Sequence, residues 1–262
     1  MATNTLRVGV FLLLCSCTQL LAQEPLRAIH VFVALADNAN QGIVPVPAKL
    51  GNGEDPARNL YWGAAGGVKT FFSRSAEWRL ISCKLPTKSE VLERCVFRYR
   101  TRNVYLIADA YRGREIQAAI LDFLDSAAGL GREQIEIEDG GARTTLAIRG
   151  DAQVVVYVGH DGLMDAPLPR IPQQKDQVTR KAIILACASK QYFSNALRLS
   201  GAYPLLWTTN LMAPEAYTLK SALDGWIVGE NDQQIRDRAA AAYDHYQKCG
   251  IKAAQRLFVT GW

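Results

Sequence analysis

Along the chain, short continuous apolar runs alternate with stretches in which apolar residues recur at helical spacing. Residues 28–36 (Ala-Ile-His-Val-Phe-Val-Ala-Leu-Ala) form a nearly unbroken apolar run, the pattern of a strand buried on both faces. Asp37 and Asn38 end it. A Gly-rich loop, Gly42 to Asp55, then leads to a helix expected over 56–74 with Leu60, Ala64, Val68 and Phe71 on one face. Strands are expected at 79–83 and 103–108, and the alternating Arg98, Arg100 and Arg102 read as one solvated strand face. The segment 113–128 keeps Ile116, Ala119, Ile120, Phe123, Leu124 and Ala127 on a 3.6 period, and Gly129 stops it. Residues 134–138 and 143–149 around Asp139-Gly140-Gly141 read as a β-hairpin off the main sheet.

In the second half, 153–158 and 181–186 are apolar strands separated by a Pro-rich loop (Pro167, Pro169, Pro172). A helix over about 190–200, a strand over 204–209 and two further helices, one opened by Pro214-Glu215 and one at 232–248, complete the pattern. Strands alternating with helices predict an α/β fold, a mainly parallel sheet with helices on both faces in three αβα layers, plus the hairpin excursion. No linker or internal repeat interrupts 23–262, so one domain is expected there.

Composition adds exclusions. The 262 residues are 49% hydrophobic and 21% charged, which is globular and rules out disorder and coiled coil. A net charge of +5, scattered along the chain, gives no footprint for nucleic acid. There is no GxGxxG after the first strand, no P-loop and no GxSxG, which weighs against a nucleotide enzyme or a serine hydrolase. No cofactor is expected, and no Cys/His cluster has zinc spacing.

The N-terminus reads as an export signal: Arg7, an apolar run from Val8 to Leu14, and uncharged residues from there to the small residue Ala22. The run is shorter than the about 20 apolar residues of a membrane span. Two processing routes stay open. Cleavage after Ala22 removes 1–22 and releases a soluble chain. Alternatively, Leu14-Cys15-Ser16-Cys17 resembles a lipobox, so that 1–16 is removed and Cys17 carries a lipid, the one contact with a membrane. Both place the protein outside the cytoplasm, periplasmic or extracellular, where disulfides persist. Cys83 and Cys95 flank the polar stretch Lys84 to Arg94 and border β-like runs, so a disulfide between them is the preferred reading.

Candidate chemistry centres on His160 and Cys187, 27 residues apart, each following the end of one of two consecutive buried strands. Ligands of open parallel sheets sit outside the carboxyl ends of the strands. Side-by-side strands would bring an imidazole and a thiol to one edge. A helix N-terminus that Ser189 could cap, and the imidazole itself, would favour the nucleophilic thiolate. Backbone amides at Cys187 and Gly162 are candidates for an oxyanion site. Asp161 reads either as a turn former or as the group that holds the imidazole. Asp37 and Asp109 end strands on the same edge and could shape a pocket for a basic residue; Thr209 and Asn210, after the last strand, could line it. His30, within a strand, reads as a core residue, and His245 as a surface one.

The order apolar strand, His, nearby Gly, spacer, apolar strand, Ala-Cys stands here as Val154-Val-Val-Tyr-Val-Gly-His160-Asp-Gly162, then Ala182-Ile-Ile-Leu-Ala-Cys187. It resembles the caspase–legumain–gingipain clan of cysteine peptidases, and the element order over about 28–228 resembles that clan too. Asp161 stands where the clan has Gly directly after His. The resemblance implies a caspase-like fold and a peptide or protein substrate. It further implies attack by Cys187, proton handling by His160 and an oxyanion hole at the Cys187 and Gly162 amides. The alternative is a catalytically silent member of the same fold that acts as an extracytoplasmic binding or scaffold protein.

Overall fold

The computed structural model describes residues 24–262, so the expected signal segment and Cys17 lie outside the described residues. The elements run β1 (Arg27–Ala34), α1 (Val68–Arg74), β2 (Trp78–Lys84), β3 (Val91–Tyr99), β4 (Val104–Tyr111), α2 (Ile116–Ala127), β5 (Glu133–Asp139), β6 (Ala142–Ile148), β7 (Val154–Val158), β8 (Lys181–Leu185), α3 (Ser189–Ser200), β9 (Tyr203–Thr208), α4 (Ala216–Ile227), α5 (Asp232–Gln247), α6 (Ile251–Leu257) and β10 (Phe258–Val259). Eight strands form one mixed sheet in the order β10-β9-β8-β7-β1-β4-β3-β2. The five central strands, β9 to β4, pair in parallel, and antiparallel pairs close both edges. The hairpin β5–β6 forms its own two-stranded sheet, as its Asp-Gly-Gly turn predicts.

Alternation along the strands sorts the core into layers. Ile29, Val31 and Val33 of β1 and Val154, Val156 and Val158 of β7 pack with α1, α4, α5 and α6. The intervening Ala28, Phe32, Val155 and Tyr157 pack with α2 and α3 on the other face. On that second face Val96, Tyr105 and Ile107 bury the hairpin's Ile137, Leu146 and Ile148. Central strands covered on both sides need apolar residues at every position, which is why their runs are unbroken.

The expected helix over 56–74 is a correction. Only Val68–Arg74 is helical, and 56–67 is a succession of turns. Glycine disfavours a helix, and Gly63, Gly66 and Gly67 all fall in this stretch. A Cβ at Gly63 would lie 2.1 Å from the Ala57 carbonyl oxygen, so the turns close where no side chain fits. Buried Asn59 pins the loop to the end of β1: its Oδ1 accepts from the Ala36 amide (3.0 Å) and its Nδ2 donates to the Ala36 carbonyl (2.8 Å). Cys83 and Cys95 face each other across β2 and β3 and form the expected disulfide, with Cα atoms 4.1 Å apart.

Candidate functional site

Strand register sets the site. Val158 of β7 pairs with Leu185 of β8, and His160 and Cys187 each lie two residues beyond that pair, at the carboxyl end of the sheet. Both line one cleft of about 430 Å³, whose other walls are Gly42 to Val44, Val46, Leu60, Tyr61, Gly159, Met164 and residues 211–215. The volume is that of a pocket for a small ligand or a side chain.

His160 is nearly buried, and its Nε2 lies 2.8 Å from Asp165 Oδ2. The turn after β7 explains this pair. Asp161 Oδ1 accepts from the Leu163 amide (3.0 Å), the Met164 amide donates to the Asp161 carbonyl, and the Asp165 and Ala166 amides donate to the Gly162 carbonyl. The chain thereby curls back and returns Asp165 to the ring. Asp161 is therefore the turn former and Asp165 the residue that holds the imidazole; only the second of these was not foreseen. Asp161 is fully buried, and among the described residues its Oδ2 has no hydrogen-bond partner. Burial pushes its carboxyl up to about 7, offset in part by the Leu163 amide and reinforced by the Asp165 charge.

Cys187 is half-buried. Its Sγ accepts from the Met212 amide at 3.4 Å and lies 3.7 Å from the Met212 carbonyl, and among the described residues it makes no hydrogen bond to His160. Burial pushes the thiol up, the Met212 amide opposes this, and the neighbouring Asp161 charge adds to it. The expected depression by helix and imidazole is thus corrected: desolvation prevails. Ala188, the N-cap of α3, has left-handed backbone (φ 46°, ψ 33°), a conformation that costs a residue with a side chain. Ser189 does not cap α3, a second correction. Its buried Oγ donates to the Ile184 carbonyl (3.1 Å) and meets Thr208 Oγ1 (3.0 Å), while its amide donates to Thr208 Oγ1 (3.1 Å). Thr208 Oγ1 in turn donates to the Ala186 carbonyl. Ser189 and Thr208 clamp the turn that carries Cys187. No hydrogen bond from the Cys187 amide is found among the described residues, which leaves that donor for a ligand oxygen.

The other expected residues scatter. The Gly162 amide donates to the His160 carbonyl (3.1 Å), and a Cβ on this glycine would touch Ile116 and Ile120, so Gly162 belongs to the turn and not to the cleft wall. Asp37 closes its own turn, accepting from the Ala39 amide and Asn40 Nδ2. Asp109 lies within β4 and is bound by Arg94 Nε (2.6 Å) and His30 Nε2 (3.1 Å) under the hairpin. Exposed Thr209 bonds the Arg256 carbonyl, and Asn210 bonds its neighbour Leu211 and the Ala188 amide. None of these four lines the cleft, and the Asp37 and Asp109 carboxylates are engaged by other partners. His30 is the core residue expected. The one metal-type cluster among the described residues, Cys83, Glu93 and Cys95, contains the two disulfide-bonded sulfurs.

The fold and site define an α/β protein with an imidazole and a thiol at the carboxyl ends of adjacent parallel strands. Compared with protein-family models, curated proteins and solved structures, the chain matches none. Among the described residues no helix is long and apolar enough to cross a membrane.

Proposed function

We propose that the chain is an exported, caspase-like cysteine peptidase that hydrolyses peptide bonds with Cys187 and His160. The observation that carries this reading is the shared cleft: two reactive side chains, each two residues past a register pair of neighbouring parallel strands. The left-handed Ala188 supports it, because strained backbone beside a reactive group tends to mark function. The export signal in the sequence and the Cys83–Cys95 disulfide support an oxidising location.

The chemistry follows from the protonation states. Burial keeps Cys187 as a thiol at rest, so its proton must leave as sulfur attacks the carbonyl carbon. With Nε2 held by Asp165, Nδ1 of His160 is the nitrogen that accepts this proton. The Cys187 amide, which makes no hydrogen bond among the described residues, is the donor for the oxygen that becomes negative. The imidazolium then protonates the departing amine as the C–N bond breaks, leaving a thioester on Cys187. Water, deprotonated by the same nitrogen, hydrolyses the thioester and restores the thiol.

The second reading, a silent scaffold of the same fold, is favoured by the raised thiol and by its hydrogen bonds to Met212 instead of His160. A diverse peptide library digested by wild type and by Cys187→Ala side by side separates the two. The peptidase reading expects cleavages that vanish in the variant; identical digests would overturn it and favour the scaffold.

A further inference from the structure

The cleft beside Cys187 has apolar walls and one carboxylate. Ile43, Val44, Leu60 and Met164 contribute hydrocarbon; among the described residues no Lys or Arg lines it, and Glu215 is its only acidic side chain. Glu215 is the N-cap residue of α4, yet its side chain makes no capping hydrogen bond. Its Oε2 accepts instead from the Tyr217 hydroxyl (2.9 Å) and from Gln247 Nε2 (3.2 Å). Both donors are neutral, and among the described residues no Lys, Arg or His comes within 4.0 Å of its carboxylate. Most other acidic groups in contact with neighbours here are paired with a cation: Asp109 with Arg94, Asp139 with Arg79 and Arg98, Asp176 with Arg180. Tyr61 also lines the cleft, its hydroxyl pushed up by burial and then by the charges of Cys187 and Glu215. Glu215 thus lines an apolar cleft with a half-buried carboxylate that neutral donors hold and no cation among the described residues neutralises.

We propose that Glu215 selects a substrate residue with an apolar stem and a cationic end, lysine or arginine, seated in this cleft on the acyl side of the bond that Cys187 attacks. The stem is shielded by Ile43, Leu60 and Met164, and the cation meets Glu215, as long basic side chains bury methylenes while placing charge at a polar group. An acidic side chain is repelled by the same carboxylate. The inference rests on the peptidase reading for which bond is cut, but not for what is bound.

Lysine and norleucine share the four-carbon stem and differ in the ammonium group, so they isolate the contribution of Glu215. Binding of acetyl-peptide amides carrying one or the other is measured by calorimetry on Cys187→Ala, which cannot turn them over. Lysine is expected to bind about tenfold or more tighter than norleucine. Glu215→Gln in the same background should abolish that preference, so that the two peptides bind alike, and measurable binding of both reports an intact cleft. Equal binding of the two peptides to the Cys187→Ala protein would overturn the inference whether or not Glu215→Gln folds. A cleavage assay on wild type distinguishes the two failures. Lysine-selective binding without any cleavage keeps Glu215 and removes the peptidase reading. Cleavage after norleucine as fast as after lysine keeps the peptidase and removes Glu215.

Discussion

At Asp161 a carboxyl group sits fully buried between His160 and the turn that returns Asp165, with one oxygen unpartnered. A carboxyl raised to about 7 holds its proton in the folded state over the range where the unfolded chain, near 3.8, has lost it. Folding therefore takes up a proton between these limits, and the contribution of this group to stability is highest at low pH, declines as pH rises toward 7, and stays reduced above it. Asp161→Asn removes the ionisation. The variant should be more stable than wild type at pH 8, by on the order of a few kcal/mol, with the gap closing by pH 4. Urea denaturation at the two pH values checks this, and an equal gap at both would rule it out. Because the Asp161 charge also pushes Cys187 up, alkylation of the thiol should begin at lower pH in the variant. The same residues show what a sequence reveals at this scale. His160 and Cys187 were legible because each stands just past the end of an apolar run. Asp165 was not, because only the folded turn carries it back five residues to the ring. Asp109 misled for a physical reason: a charge after an apolar run normally ends a strand, but a bidentate arginine lets β4 run through it.

At the scale of elements, the turn from β8 into α3 depends on a residue from β9. Thr208 Oγ1 accepts from the Ser189 amide, meets Ser189 Oγ and donates to the Ala186 carbonyl, while the Thr208 amide donates to Ser189 Oγ (2.9 Å). These contacts hold Cys187 and the left-handed Ala188 from both sides. Thr208→Val keeps the shape and removes the hydroxyl, so buried polar groups on Ser189 and Ala186 lose their partner. The expected cost is about 1–3 kcal/mol. A turn freed in this way should also expose the thiol, so Cys187 should react faster with a limiting thiol reagent while exposed Cys249 is unaffected. Unchanged stability together with an unchanged ratio of labelling rates would show that the clamp does not hold the turn. Strong strand runs made the sheet legible. The segment 56–67 was misread because its apolar residues keep helical spacing, yet its glycines and the pinning by Asn59 favour turns. The terminal α6 and β10 escaped notice since β10 is only two residues long and gains its conformation by pairing with β9.

For the whole molecule, the question is what holds the hairpin β5–β6 to a sheet whose strands it does not extend. Besides a small apolar contact, two ionic clusters join them. Asp139 of β5 meets Arg79, Arg98 and the Tyr105 hydroxyl on β2, β3 and β4. In the other cluster, Arg94 of β3 grips Asp109 with two nitrogens (2.6 and 2.8 Å) and Glu133 of β5 with a third (2.5 Å). Arg149 joins Glu133 (2.7 Å) to Asp122 of α2 (2.9 Å), and its amide donates to His30 Nδ1 (3.1 Å). With Nδ1 accepting, His30 Nε2 carries the proton that Asp109 receives. Burial drives His30 below its ordinary 6.5, outweighing the attraction of Asp109. Burial alone would raise Asp109, but the bonds and charges of Arg94 and His30 prevail and hold it well below the usual carboxylate range. Both shifts have the same sign for stability. As pH falls below 6.5 the unfolded histidine gains a proton that the folded one resists, and below about 4 the unfolded Asp109 does the same. Acid should therefore loosen the hairpin before it unfolds the five parallel strands. Hydrogen exchange at pH 7, 5.5 and 4 should show β5–β6 amides losing protection ahead of those of β1 and β7. Asp109→Asn should cost about 3–5 kcal/mol at pH 7, because it leaves the Arg94 charge buried without its main partner. The difference between variant and wild type should shrink as pH falls below 4, and taking that difference cancels the opposite slope contributed by Asp161. Exchange that proceeds evenly through hairpin and parallel strands, with a variant cost independent of pH, would mean that apolar packing alone holds the hairpin in place.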